Sequence, residues 1–157
     1  MSRDEPDRQR EELLCPSAAA HSESVLIGVV TGSADAPRVR PTDHAMPVTQ
    51  EVLDLAQPAS PTEVFRFAAP CRTGSCIHFR NAACQISARS TVLLDEVVAH
   101  LPKCPIRARC RWFHQEGANM CRRCPQIVTK QYAPSAEMLR IVNENDPPAA
   151  SCTPQSD

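Results

Sequence analysis

The chain has 157 residues, 15 of them Pro and nine Cys, with aromatics at only 4% and a formal net charge of −1. That length fits one domain, or one small domain with tails, and so few large apolar side chains leave a core in need of staples, for which the cysteines are the obvious source. The longest apolar run, Val25 to Val30, is far too short to cross a bilayer, so no membrane partner is expected.

The first residues, MSRDEPDRQREELL, are charged and lack the apolar segment of a secretory signal. A cytoplasmic protein is therefore expected, where thiols stay reduced and a cysteine framework more often binds metal than forms disulfides. Nine cysteines, being an odd number, also cannot all pair internally.

Residues 1–22 read as a disordered arm with a short helix over Arg8–Leu14; Cys15, at its end, stands outside the cysteine groups and reads as a free thiol. Residues 23–68 read as a small β/α segment. Ser24–Thr31 is a strand with Gly28 as its weak point, GSADAP is a turn, and Arg38–Arg40 pairs back. Thr49 caps a short helix, TQEVLDLA, and TEVFRFAAP places Phe65 and Phe67 on one face of a strand. Residues 69–132 form a cysteine-rich metal-binding domain. Within it, Leu93, Leu94, Val97, Val98 and Leu101 recur at helical spacing, which predicts a helix over Ser90–Leu101. Residues 133–157 read as a short helix followed by a disordered tail, in which Cys152 has no assigned role. The fold class expected is α+β, with the cysteine-rich domain stapled by metal.

Seven cysteines fall between residues 71 and 124, and with one histidine they supply the eight ligands that two four-coordinate sites require. The expected metal ligands are Cys71, Cys76, His78 and Cys84 upstream, and Cys104, Cys110, Cys121 and Cys124 downstream. Imidazole beside thiolates suits zinc, so the upstream set reads as a zinc site. Downstream, Cys104 at an N-cap and Pro105 at the first helical position predict a helix through IRARCRWFHQE, closed by Gly117. Such a helix would separate Cys104 from Cys110 by about 9 Å along its axis, at ~1.5 Å per residue. Sulfurs on one zinc lie about 3.8 Å apart, and those on a cubane cluster roughly 6 Å apart, so the downstream spacing leans towards a cluster. Pro after Cys104 and after Cys124 points the same way. The cofactors expected are two zincs, or one zinc plus one [4Fe–4S] cluster.

The stretch CPIRARCRWFH also carries the C-x5-C-x3-H spacing of a CCCH RNA-binding finger. Positions 95 and 96, one of which should be the first cysteine, are Asp and Glu, so that family is not assigned.

Charge is segregated: residues 71–132 hold ten Lys/Arg against three Asp/Glu, between two acidic flanks. Lys103, Arg107, Arg109, Arg111, Arg122 and Arg123 surround the downstream cysteines, with Trp112 among them. Cations beside an aromatic make a possible nucleic-acid or partner contact. A protein partner is the broader expectation. His100 reads as a surface histidine at a helix end, while His114, on one face with Cys110 at i, i+4, suits either a metal ligand or a partly buried helix histidine. No nucleophile–base–orienter set appears, and the chain reads as a non-enzymatic interaction or accessory protein. Three other functions stay open: a cluster-bearing electron carrier or metalloenzyme-assembly protein, a zinc-dependent nucleic-acid-binding module using the Arg-rich face, and a dithiol at Cys121/Cys124 activated by neighbouring arginines.

Overall fold

A computed structural model describes residues 13–131 and 133–143 of the chain. The architecture is α+β. Four strands, β1 (Leu14–Ala18), β2 (Val25–Ser33), β3 (Ala36–Pro47) and β4 (Phe65–Pro70), form an antiparallel sheet in the order β1-β4-β2-β3. β2 and β3 make the expected hairpin, with Val29 opposite Arg40 and Thr31 opposite Arg38. β3 is an edge strand whose Pro37, Pro41 and Pro47 cannot donate to a further strand. Two short helices, α1 (Gln50–Leu55) and α2 (Pro61–Val64), precede β4. Thr49 caps α1 as predicted, its hydroxyl accepting from Val52 N at 3.3 Å.

Successive side chains of a strand point to opposite faces. Leu26, Phe65 and Phe67 pack with Ala56 and the side chains of α1 on one face, the two rings edge-on at 6.1 Å. Ile27 and Ala68 face the other way, into a larger core with Leu14, Cys84, Ile106, Cys110, Trp112, Met120 and Ile127. The sheet and the cysteine-rich region thus share a core, and the boundary expected at residues 68/69 falls inside β4.

Gly28 sits opposite Arg66 in the sheet. A Cβ there would lie 2.6 Å from Val39 Cγ1 and 3.2 Å from Arg40 O. Gly28→Ala is expected to cost about 1–3 kcal/mol by overpacking, read as a lower urea midpoint with an unchanged slope. A neutral result would show that β3 yields freely.

After β4 come a 3-10 turn (Thr73–Ser75), a two-residue hairpin of β5 (Phe79–Arg80) and β6 (Ala83–Cys84), and α3 (Gln85–Leu93). Then follow a 3-10 turn (Arg107–Arg109), α4 (Arg111–Glu116), α5 (Ala118–Cys121), a 3-10 turn (Cys124–Gln126) and α6 (Ala136–Val142). Among the described residues no helix is long and apolar enough to cross a membrane.

Three expectations are corrected. The helix predicted over Ser90–Leu101 runs instead from Gln85 to Leu93. Its buried positions are small or polar (Gln85, Ser87, Ala88, Arg89, Ser90), a pattern that apolar periodicity cannot detect. Residues 95–98 leave the helix because polar partners hold their backbone: Val97 N donates to Arg122 O, and Gln126 Nε2 to Asp95 O. The helix predicted from Cys104 is broken, with Cys110 rather than Cys104 as the N-cap of α4; Gly117, at φ 71°, does close it. The arm expected over residues 1–22 contributes β1, held by pairing of Leu14 with Pro70 and Cys15 with Ala69. The Arg8–Leu14 helix lies almost wholly outside the described residues, as does Cys152, and Leu14 itself opens β1.

Candidate metal centre

Eight thiols line two cavities. Cys104, Cys110, Cys121 and Cys124 line one of about 50 Å³, together with Arg66, Arg107 and Trp112. Cys15, Cys71, Cys76 and Cys84 line the other, of about 300 Å³, with His78, Arg111 and Trp112. All eight are free thiols. The downstream set is thus brought together as a unit, and the upstream residues gain a fifth neighbour, Cys15, which the sequence left alone.

Strand pairing delivers Cys15. The β1–β4 register sets it opposite Ala69, and Cys71 N donates to Leu13 O at 2.8 Å, which draws the two cysteines to one end of the sheet. β1 touches both cavities: Leu14 bridges Cys110, and Pro16 lines the downstream cavity. Cys84 is fixed by Gln115, which accepts from its N–H at 2.8 Å and donates to its carbonyl at 2.9 Å. Only the tertiary fold reveals this clamp.

Burial raises five of the thiols. Cys15 and Cys110 are pushed up to about 12, and Cys84, Cys104 and Cys121 also move upward. Backbone N–H groups oppose this at Cys15 (Ser17), Cys84 (Ser87, Ile86), Cys104 (Ile106) and Cys110 (Phe113, Trp112). At Cys76 the sulfur accepts from His78 N at 3.4 Å. The indole N–H of Trp112 makes no short hydrogen bond, but lies close enough to Cys84 to favour its thiolate. These five sulfurs thus meet donors yet are held from ionising by burial. That combination suits thiols that lose their protons to a metal. At Cys121 burial outweighs the help that Arg107 gives the thiolate.

Arg66 was missed by sequence reasoning. It is 3% exposed, and alternation with Phe65 and Phe67 turns it towards the cysteines. Nη1 donates to Cys124 Sγ at 2.8 Å and to Cys124 O at 3.0 Å, Nε to Pro16 O at 2.7 Å, and the guanidinium lies 4.9 Å from the Trp112 ring centre. Nη2 is buried with no partner, and no carboxylate pairs with Arg66 among the described residues. A buried cation without a counter-charge is costly.

Trp112 is 2% exposed and packs in the core. Arg107 bonds Pro102 O, Arg111 stacks over Phe79, and Arg122 and Arg123 approach Glu96 at 3.9 and 3.6 Å, leaving Lys103 and Arg109 exposed. His114 Nε2 meets Ala108 O at 2.7 Å and, like the exposed His100, lines neither cavity.

Among the described residues no three His, Cys, Asp or Glu side chains are arranged to hold a single metal ion. Compared with family models, curated proteins and solved structures, the chain matches none.

Proposed function

We propose that the protein holds two iron–sulfur clusters, one per cysteine set, and serves as a non-catalytic electron carrier or accessory module. The observation that carries this reading is Arg66, a buried guanidinium that lines one cavity with four thiols and, among the described residues, pairs with no carboxylate. Neutral thiols leave that charge uncompensated, whereas thiolates bound to a cluster supply the missing anion.

Cys104, Cys110, Cys121 and Cys124 would hold the downstream cluster, and Cys15, Cys71, Cys76 and Cys84 the upstream one. Such a cluster supplies reversible one-electron chemistry, while the chain contributes the thiolates, the N–H donors to sulfur and the burial that set its potential. Zinc is the second reading for the upstream cavity, because His78 lines it beside the thiols and imidazole is an ordinary zinc ligand.

The test is an absorption spectrum with metal analysis on protein purified without oxygen. A brown protein with a broad band near ~400 nm and about eight irons per chain is expected. About four irons with one zinc would assign zinc upstream. A colourless protein with two zincs would overturn the cluster reading.

A further inference from the structure

We propose that the upstream cavity of the metal-free protein is a binding site for a phosphate group, free or carried by a small monoester. The inference concerns the metal-free cavity and stands apart from the two-cluster reading. The space is about 300 Å³, at the lower end of small-molecule pockets. Besides its thiols, it is lined by Arg72, Arg111, His21 and the Trp112 indole, and by no Asp or Glu.

Arg111 is held there without an anion. Its Nε is buried with no hydrogen-bond partner, and its guanidinium sits 5.5 Å from the centre of the Phe79 ring. Neither Arg111 nor Arg72 pairs with a carboxylate among the described residues. A buried guanidinium with no counter-charge is costly, and a bound anion removes that cost. The indole N–H of Trp112, a residue 2% exposed, is a second buried donor without a partner. His21 Nδ1 accepts from Glu23 N at 3.2 Å, which puts the ring proton on Nε2 as a further donor. Arg72 has right-handed helical backbone (φ −81°, ψ −5°) and Thr73 follows at φ 47°. That succession gathers backbone N–H groups around an anion. A carboxylate has only two oxygens to offer so many donors. A phosphate group offers three, with up to about two negative charges to meet the two guanidiniums. Ala18, Ala69, Phe79 and Ile86 complete the wall and leave an apolar side for an organic body. Thiolates on a metal would bring negative charge into the same space, so metal and phosphate exclude each other there.

The test is calorimetric titration of the reduced full chain, as purified without oxygen and again after metal removal, with inorganic phosphate, glycerol phosphate and acetate. The metal-free chain should bind one phosphate, and acetate at least ~tenfold more weakly. Tighter binding of glycerol phosphate supports the site with the apolar wall as the seat of an organic body, and equal binding supports it for the free ion. Arg111→Gln should weaken phosphate binding by at least ~tenfold, the size of one charge-assisted hydrogen bond. Arg72→Gln should weaken it by less, and Arg40→Gln, at an exposed position on β3, should leave it unchanged. Arg72, being exposed, keeps the test decisive if Arg111→Gln does not fold. Metal in the upstream set should abolish binding. No binding to the metal-free chain, unchanged affinity in the arginine variants that line the cavity, acetate binding as tightly as phosphate, or equal affinity with and without upstream metal would overturn the site. A chain purified without metal that binds phosphate through Arg111 would support the site and overturn the cluster reading alone.

Discussion

Cys15→Ser is expected to remove the upstream centre and lower the iron content from about eight to about four atoms per chain. Cys15 lies on a strand whose register is fixed by pairing with β4, in the cavity that Cys71, Cys76 and Cys84 line. The charges of Cys84, Cys71 and Cys76 each push its pKa further upward, which places all four within electrostatic reach. A serine hydroxyl in its place ionises far less readily than a thiol and binds iron weakly. His78→Ala is the comparison, because His78 lines the same cavity. If Cys15 is the fourth ligand, His78→Ala keeps close to its full iron. Full iron in Cys15→Ser with loss in His78→Ala would return the histidine to the ligand set. Downstream, Cys110→Ser and Cys121→Ser should strip that centre and leave the upstream one, again read by iron content.

The same cysteine marks where the sequence stopped being legible. Spacing grouped Cys104, Cys110, Cys121 and Cys124, and these line one cavity because a short stretch of turns and helices keeps near neighbours near. The β2–β3 hairpin and the Thr49 cap were legible for the same reason, each being decided within a few residues. Cys15 was not, because only a strand pairing across more than fifty positions brings it to Cys71. Arg66 was nearly legible: two phenylalanines at period 2 imply that the residue between them faces the other way. What that face meets is a tertiary fact. Trp112 admitted two readings in sequence, a core anchor or an aromatic between surface arginines; it is buried, and several of those arginines meet carbonyls, a ring and a carboxylate.

Removing the metal is expected to reverse the protein's response to alkali. In the metal-free fold, burial holds the Cys15 and Cys110 thiols at about 12 against an ordinary value of 9.0. Above pH 9 the unfolded chain releases those protons and the folded chain keeps them, so the unfolded state binds fewer protons and stability falls as pH rises. Each thiol contributes stability that is fully present below pH 9 and lost towards pH 12, on the order of 4 kcal/mol apiece at ~1.4 kcal/mol per unit. Together they rival the whole stability of a small domain, about 5–15 kcal/mol. With metal bound, the folded state holds thiolates, the sign inverts, and the same sites lose stability as acid protonates them. Melting curves followed by Trp112 fluorescence from about pH 7 to about pH 11 should therefore fall steeply for metal-free protein and stay nearly level for the loaded form. Parallel curves would mean that these thiols are not the groups the metal deprotonates. A steep fall beside a level curve would tie folding to metal capture through Cys15 and Cys110, one from each cavity.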